Sequence, residues 1–243
     1  MIVTVNTILS IMSIKNTKQG FYGRRQGRPL SASRLKTLED ALPALQIGES
    51  LLKEDGRLDP QSLFSSAHDK IILEIGFGNG EHLAGMMRRM PENAYIGIEP
   101  FINGMSAFLK DIEALSQDNI RVYMDDALTV VRSLKSESID TFYILNPDPW
   151  HKARHHKRRI VRAETLKDYH RVLKPGGDLI LTTDVEDLAE WMATHVHLHG
   201  GFEWLAESAK DWQTPPGDWI PTRYETKGAK GAKKMTYLFY RKK

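Results

Sequence analysis

Residues 70–83, KIILEIGFGNGEHL, join a short apolar run to three closely spaced glycines and the start of a helical pattern. The apolar run is broken only by Glu74, which is typical of a strand that is buried on both faces. Gly76, Gly78 and Gly80 follow directly, and glycine at this place lets the backbone turn tightly and approach a ligand. The stretch therefore predicts the first strand, the turn and the first helix of a parallel α/β sheet.

The alternation of strand and helix continues downstream. Helical spacing of apolar residues separates the later apolar runs, and the closing segment alternates like a late strand with GFEWLAES as its possible partner. LKPGGDLIL is predicted to end a helix with a Pro-Gly-Gly turn and to re-enter the sheet. The predicted fold is α/β, with a mostly parallel, seven-stranded, doubly wound sheet and helices on both faces. The predicted strands are KIILEIG, AYIGIEP, IRVYMDD, DTFYILN, GDLILTTD, GFEWLAES and KKMTYLFYRK, and the predicted helices are GEHLAGMMRRM, GMSAFLKDIEALS, ALTVVRSLK and AETLKDYHRVL.

Residues 1–60 lack this regular pattern. GFYGRRQGRPLS is predicted as an irregular basic arm, and SASRLKTLEDALPALQI as a helix that begins near Ser31 or Ser33. We therefore expect a partly flexible N-terminal extension over residues 1–60, followed by one α/β domain over residues 61–243.

Composition excludes several classes of protein. The chain has no cysteine, which rules out disulfides, cysteine zinc sites and thiol nucleophiles. His195, His197 and His199 alternate along a helix without an acidic partner at ligand spacing, so no metal site is expected. No apolar stretch is long enough to span a bilayer, and we expect a cytoplasmic protein without a membrane partner.

The charge distribution points to an anionic partner. The net charge is only +3, but basic residues gather in the arm, in residues 152–159 and in residues 227–234, where KGAKGAKK is expected to form a flexible basic loop. Basic clusters that folding brings together are what a nucleic-acid surface requires.

Carboxylates follow the glycine turn at spacings that suit a nucleoside ligand. Glu99 ends the second strand nearly 20 residues beyond the glycines, where a carboxylate can accept both hydroxyls of a ribose. Asp126 follows the third strand and could accept the exocyclic amine of an adenine. The glycines are spaced G-x-G-x-G and no P-loop residues follow, which disfavours a pyrophosphate. With Glu74, these acids favour a cationic ligand without phosphate, and S-adenosylmethionine has this charge pattern.

The segment NPDPWHKARHHKRR, residues 146–159, follows the predicted fourth strand. Its two prolines fix the backbone, so Asp148 and Trp150 are held in defined directions. Asp148 can accept the N1 and N2 hydrogens of a guanine, Trp150 can stack on a base, and the cations that follow can bind phosphates. The segment is therefore predicted to capture a base and to bind a nucleic-acid backbone.

Together these segments resemble the bacterial tRNA (guanine-N7-)-methyltransferases. The resemblance rests on FYGRRQGR, LEIGFGNGEHL, IGIEP, MDDA, NPDPWHKARHHKRR, TTDVEDLAEWM and PTRYETKG. It implies a Rossmann-like class I methyltransferase domain over residues 61–243, which uses S-adenosylmethionine to methylate N7 of a variable-loop guanine of tRNA.

The resemblance also implies roles for individual residues. Asp148 is the catalytic candidate. The protein is expected to act on tRNA as a monomer or homodimer, without an obligatory protein partner. The cofactor candidates are Glu74, Gly76, Gly78, Gly80, Glu99, Asp126 and Asp148. The candidates for binding substrate and tRNA are Lys152, Arg154, Lys157, Arg158, Arg159, Asp184, Thr222, Arg223, Tyr224 and Glu225.

Asn146 keeps an alternative open. An aromatic residue is expected there in this family, and NPDPW resembles the N-P-P-Y signature of methyltransferases that act on the amino group of adenine or cytosine. Two remoter alternatives are an NAD-dependent oxidoreductase, suggested by the glycine turn with Glu99, and a non-catalytic RNA-binding module, suggested by the basic clusters. Asp184 could also serve only to cap the helix that follows it.

Overall fold

A seven-stranded sheet forms the centre of the protein in a computed structural model that describes residues 22–228 and 234–243. The strand order is β3-β2-β1-β4-β5-β7-β6; the first five strands in this order are parallel, and β7 is antiparallel to both of its neighbours. The strands are β1 Ile71–Ile75, β2 Ala94–Ile98, β3 Ile120–Tyr123, β4 Ile139–Leu145, β5 Leu173–Thr183, β6 Phe202–Trp204 and β7 Thr236–Lys242. The predicted mostly parallel α/β sheet is confirmed, including the pairing of the last two strands.

Helices cover both faces of the sheet, and each face has its own apolar core. One core joins β1 to α4, α5 and α6 through residues such as Val130, Leu166 and Met192. The other joins the opposite face to α1, α2 and α3 through Leu38 and Phe108, among others. The helices are α1 Ala32–Leu45, α2 Glu81–Arg89, α3 Ile102–Asp111, α4 Ala127–Ser133, α5 Ala163–Val172, α6 Glu186–His199, α7 Ala209–Gln213 and α8 Arg223–Gly228, with short 3-10 segments at Glu49–Leu51, Pro60–Leu63 and Ala153–Arg158. Over the described residues, none of these helices has both the length and the apolar character that a bilayer crossing requires.

The described part of the N-terminal extension packs onto the α/β domain. The Ser31 hydroxyl accepts a hydrogen bond from the Arg34 amide at 3.4 Å and so caps the start of α1. Leu38, Leu42 and Leu45 of this helix are buried in the core that contains α2 and α3. Residues 32–45 therefore share the core of the domain.

The Pro-Gly-Gly turn lies within β5, not before it as predicted. Leu173, the first residue of β5, follows α5 directly and pairs with Ile139, whereas Asp178 pairs with Thr141. Residues 174–177 therefore loop out opposite the single residue Asp140, and Gly176 adopts a φ of +75° there. The sheet accommodates the turn as a bulge, which glycine permits because it has no Cβ.

Gly80 is the glycine that the turn between β1 and α2 requires most strictly. Its φ is +83°, and an added Cβ would lie 2.3 Å from Cδ2 of Phe108. We expect Gly80→Ala to lower the free energy of unfolding by about 2–4 kcal/mol, since left-handed strain and overpacking add. Urea denaturation measures this loss.

Gly200 provides the matched control for this substitution. Its φ of +74° is similar, but among the described residues no heavy atom other than those of its chain neighbours lies within 4 Å of the position that a Cβ would take. Gly200→Ala should therefore show only the backbone strain, about 1–2 kcal/mol. Equal destabilisation of the two variants would show that the clash with Phe108 contributes nothing.

Candidate active site

A cavity of about 620 Å³ lies at the carboxyl ends of the parallel strands. The end of each contributing strand, the N-terminal arm and the segment after β4 supply its walls. Acidic residues and basic residues both border it, so one space can receive groups of opposite charge. The lining includes Tyr22, Gly76, Glu99, Asp125, Asp126, Asn146, Asp148, Trp150, Lys157 and Arg158.

Of the three predicted glycines, only Gly76 borders the cavity. It has a φ of +72°, and in the described part of the chain only its sequence neighbours have heavy atoms within 4 Å of the place where a Cβ would be. The Gly78 amide donates to Glu99 Oε2 at 2.7 Å. A Cβ on Gly104 would lie 2.3 Å from the Gly78 carbonyl oxygen, so α3 packs closely behind the turn. Gly78 and Gly80 shape the turn, whereas Gly76 exposes backbone to the cavity.

Glu99 is a buried carboxylate at the end of β2. Its two oxygens accept the backbone amides of Gly78 and Phe101, at 2.7 and 2.8 Å. Burial raises its pKa to about 7, although these two hydrogen bonds act in the opposite direction. Glu99 is therefore close to half ionised at neutral pH, and its charge can respond to a ligand.

Two neighbouring aspartates follow β3. Asp126 caps α4 by accepting the Leu128 amide at 3.0 Å, and burial raises its pKa above the usual value. Asp125 accepts Arg25 Nη2 at 2.6 Å and so fastens the N-terminal arm at the cavity. Asp125 was not among the predicted site residues, although both carboxylates stand in the segment MDDA.

Glu74 does not line the cavity. Its Oε2 lies 2.8 Å from His82 Nδ1, and both side chains are buried. The His82 ring contacts the rings of Tyr143 and Trp219, with centroids 4.8 and 5.4 Å apart. Successive side chains of a strand face opposite sides, and Ile75 is the residue of β1 that borders the cavity. The structure thus places Glu74 behind the cavity wall, against α2.

The segment after β4 places Asp148 in the cavity wall through an unusual backbone. Asn146 and Trp150 both adopt left-handed φ values, of +49° and +47°. Such values are costly for residues other than glycine and concentrate at functional sites. Burial away from solvent raises the pKa of Asp148. With these two left-handed residues within five positions, Asp148 and Trp150 both border the same cavity.

Arg159 is buried inside the protein, contrary to the prediction that it binds RNA at the surface. Its side chain has 0% exposure, forms an ion pair with Asp187 and lies over the Trp191 ring at 4.9 Å. Its Nε donates to the Pro149 carbonyl oxygen at 2.9 Å. The 3-10 turn that ends at Arg158 directs Arg159 inward, where it supports the segment that carries Asp148.

The other predicted cations of the segment remain accessible. Lys152, Arg154 and Lys157 are exposed, and Lys157 also borders the cavity. Arg158 is half-buried because its guanidinium lies over the rings of Tyr22 and Trp150. Lys152, Arg154 and Lys157 therefore form an accessible basic surface beside the cavity.

Hydrogen bonds connect residues 219–225 to the end of β4. Asn146 Nδ2 donates to Thr222 Oγ1 at 3.3 Å, and Thr222 Oγ1 donates to Glu225 Oε1 at 3.2 Å. Trp219 Nε1 donates to the other oxygen of Glu225 at 2.9 Å. Residues 222–225 therefore lie beside Asn146, next to the cavity but outside its lining.

Asp184 joins the same region from the end of β5. The Tyr224 hydroxyl donates to its carboxylate at 3.3 Å, and Arg223 is exposed nearby in sequence. Helix α6 starts after Val185, which is its N-cap, so Asp184 is not the helix cap that the sequence also allowed.

The sheet order, the glycine turn and the acids at the strand ends define a class I methyltransferase fold. A family described as "Putative methyltransferase" matches residues 68–238. The crystal structure of the 16S rRNA methyltransferase KamB has a similar fold, with a TM-score of 0.53 at 14% identity over 80% of this chain and 91% of that chain.

Curated relatives identify the family more closely. A tRNA (guanine-N(7)-)-methyltransferase of Rhodospirillum rubrum is 40% identical over 92% of this chain and 88% of its own length. One from Agrobacterium fabrum is 41% identical over 91% of this chain and 94% of its own length. The chain belongs to the tRNA (guanine-N(7)-)-methyltransferase family, as the resemblance in its motifs indicated.

Proposed function

We propose that this protein transfers a methyl group from S-adenosylmethionine to N7 of a variable-loop guanine in tRNA. The observation that carries the proposal is the position of Asp148 in a cavity that has both acidic and basic walls, directly beside an exposed basic segment. The names of the relatives supply the reaction. Family membership disfavours the oxidoreductase and the non-catalytic RNA-binding module.

The residues at the cavity suit S-adenosylmethionine. A volume of about 620 Å³ is within the range of small-molecule sites, and the open position above Gly76 allows a ligand to approach the backbone. Glu99 would hold the ribose hydroxyls, Asp126 the adenine amine, and Gly76 the methionine portion. When bound, this cofactor supplies an electrophilic methyl group on a positively charged sulfur.

The chain's own residues position the base and stabilise charge. Guanine N7 carries a lone pair and no proton, so the site requires no general base. Holding the base against the cofactor side of the cavity supplies much of the rate enhancement. The purine becomes positively charged when N7 gains the methyl group, and the Asp148 carboxylate stabilises that charge more than the neutral base. Asp148 therefore acts as an electrostatic catalyst.

The exposed cations of the segment should bind the phosphates of tRNA. We expect simultaneous replacement of Lys152, Arg154 and Lys157 by Ala to weaken tRNA binding and to flatten its salt dependence. The slope of log K against log salt should fall by about 0.7–0.9 for each phosphate that is no longer neutralised. Filter binding at several salt concentrations measures both effects.

A matched triple variant controls for the loss of positive charge. Lys110, Lys135 and Lys243 are also exposed; Lys110 lies in the last turn of α3, and the other two follow α4 and β7, all at the opposite edge of the sheet. Their replacement by Ala should leave the salt slope unchanged. If both triple variants flatten the slope equally, binding depends on net charge and not on this surface.

Methyl transfer to an unmodified tRNA transcript tests the proposed function directly. Labelled methyl from S-adenosylmethionine should be confined to one variable-loop guanine. Treatment with borohydride and aniline cleaves RNA at N7-methylguanosine and should therefore cleave the tRNA at this position. A transcript in which that guanine is replaced should remain unlabelled. Label that resists this cleavage and is found on adenine or cytosine would instead favour the amino-group reaction that Asn146 suggested.

A further inference from the structure

Two aromatic rings and one guanidinium meet at the wall of the cavity, beside Asp148. The Arg158 guanidinium carbon lies 4.5 Å from the centre of the Tyr22 ring and 5.0 Å from the centre of the Trp150 ring. The two rings lie edge to face, with centroids 6.4 Å apart. All three residues border the cavity. The aromatic pair therefore already binds a flat cation at this position.

Tyr22 is held at the cavity by the arm that follows it. The Ile102 amide donates to the Arg25 carbonyl oxygen at 3.0 Å, and the Gly27 amide donates to Asn103 Oδ1 at 2.8 Å. These bonds attach the arm to the start of α3, next to Glu99. Tyr22 nevertheless keeps 49% of its surface exposed, so one side of it is available for a further contact.

The expected product base has the properties of the cation that the pair now binds. N7 gains a bond to carbon and no proton leaves, so one positive charge remains on the flat purine. An aromatic face stacks on any base, and its quadrupole adds a further attraction when the base carries a positive charge. A receptor of this kind therefore favours the developing methylated purine over the unmodified guanine, which is the condition for catalysis.

We propose that Tyr22 and Trp150 form an aromatic receptor for the N7-methylated purine cation, in which the Arg158 guanidinium lies when no base is bound. The proposal rests on the proposed function and adds a specificity-determining residue, Tyr22, outside the predicted site. Trp150 and Asp148 are fixed by the segment after β4, whereas Tyr22 comes from the arm. The receptor is thus assembled from two distant parts of the chain.

Substitution of Tyr22 tests the proposal with a matched set of variants. Under single-turnover conditions at saturating tRNA and S-adenosylmethionine, we expect Tyr22→Leu to slow methyl transfer about tenfold, because it removes the aromatic face. Tyr22→Phe keeps the face and should stay within about twofold of the native rate. Trp204→Leu removes an aromatic residue of similar exposure, 48%, outside the cavity, and should leave the rate unchanged.

A second measurement does not depend on turnover. Titrations with N7-methylguanosine monophosphate and with guanosine monophosphate should show that the native protein prefers the methylated nucleotide. Tyr22→Leu should reduce this preference about tenfold and Tyr22→Phe should keep it. Either an equal rate or an equal preference in Tyr22→Leu would overturn the receptor. Equal reductions in Tyr22→Phe and Tyr22→Leu would also overturn it, because they would assign the effect to the hydroxyl.

The two proposals can fail separately. If the native protein methylates no tRNA, the proposed function is wrong, and the nucleotide preference still tests the receptor. If the native protein methylates tRNA and Tyr22→Leu does so at the same rate, the function stands and the receptor is rejected.

Discussion

Replacing Asp148 with asparagine is expected to lower kcat about 10²–10³-fold, the reduction seen when one preorganised electrostatic group is removed from an active site. Asparagine keeps the size of the side chain and removes only its charge. The segment after β4 should keep its backbone conformation, because Pro147, Pro149 and the hydrogen bond from Arg159 to the Pro149 carbonyl oxygen remain. The Kd for tRNA should change only a few-fold, since phosphate contacts provide most of the affinity.

Separate measurements of kcat and binding decide the role of Asp148. Single-turnover methyl transfer at saturating substrates reports the chemical step, and filter binding reports the Kd for tRNA. Asp111→Asn is a suitable control because its carboxylate pairs with Arg88 at the far end of α3. An unchanged kcat together with weakened tRNA binding would mean that Asp148 only captures the base.

The sheet was predictable because short-range patterns in the sequence indicate its strands and helices. Each strand is a short apolar run and each helix has apolar residues at helical spacing, so alternation alone predicts a parallel sheet covered on both faces. The bulge at residues 174–177 was not predictable in the same way. It depends on the pairing of Leu173 and Asp178 with β4, and this pairing is a long-range property.

The acids at the cavity were predictable from a rule of topology, with one exception. Glu99 and Asp126 both follow parallel strands, and the carboxyl ends of such strands converge at one edge. Glu74 stands within β1, where side chains alternate between faces. Since Ile75 borders the cavity, Glu74 faces the other side and pairs with His82.

The basic segment shows what charge patterning cannot predict. Five cations within eight residues indicated a nucleic-acid surface, but the pattern does not tell which of them the 3-10 turn directs inward. Arg159 is buried by its contacts to Asp187 and Trp191, both far along the chain. Tyr22 was missed for the same physical reason, because its neighbours Trp150 and Arg158 are more than 120 residues away.

Replacing Glu99 with glutamine is expected to weaken S-adenosylmethionine binding about 10- to 100-fold, the effect of removing one charged hydrogen-bonding group. Glutamine has nearly the same shape. It presents an NH₂ group where the carboxylate now accepts the Gly78 or the Phe101 amide, so two donors would face each other. Isothermal titration of the cofactor measures the change, with Asp140→Asn at the opposite edge of the sheet as the control.

The pH dependence of binding separates the charge of Glu99 from its packing. Because burial raises the pKa of Glu99 to about 7, part of the cofactor-free protein carries a neutral carboxyl at neutral pH. Ribose hydroxyls and a sulfonium bind the carboxylate better than the acid, so native affinity should rise about tenfold between pH 6 and pH 8 and binding should release a proton. Glu99→Gln should bind equally at both pH values.

The same raised pKa predicts an effect on stability without any ligand. The folded protein keeps the Glu99 proton up to about pH 7, whereas the unfolded chain loses it near its ordinary value. This contribution to the free energy of unfolding is present at low pH and is lost as the pH rises to about 7. Urea denaturation of the cofactor-free protein should show that the free energy of unfolding declines less between about pH 4.5 and pH 7 in Glu99→Gln than in the native protein. Equal declines in the two proteins would mean that Glu99 is ionised throughout, and the pH dependence of cofactor binding would then need another titrating group.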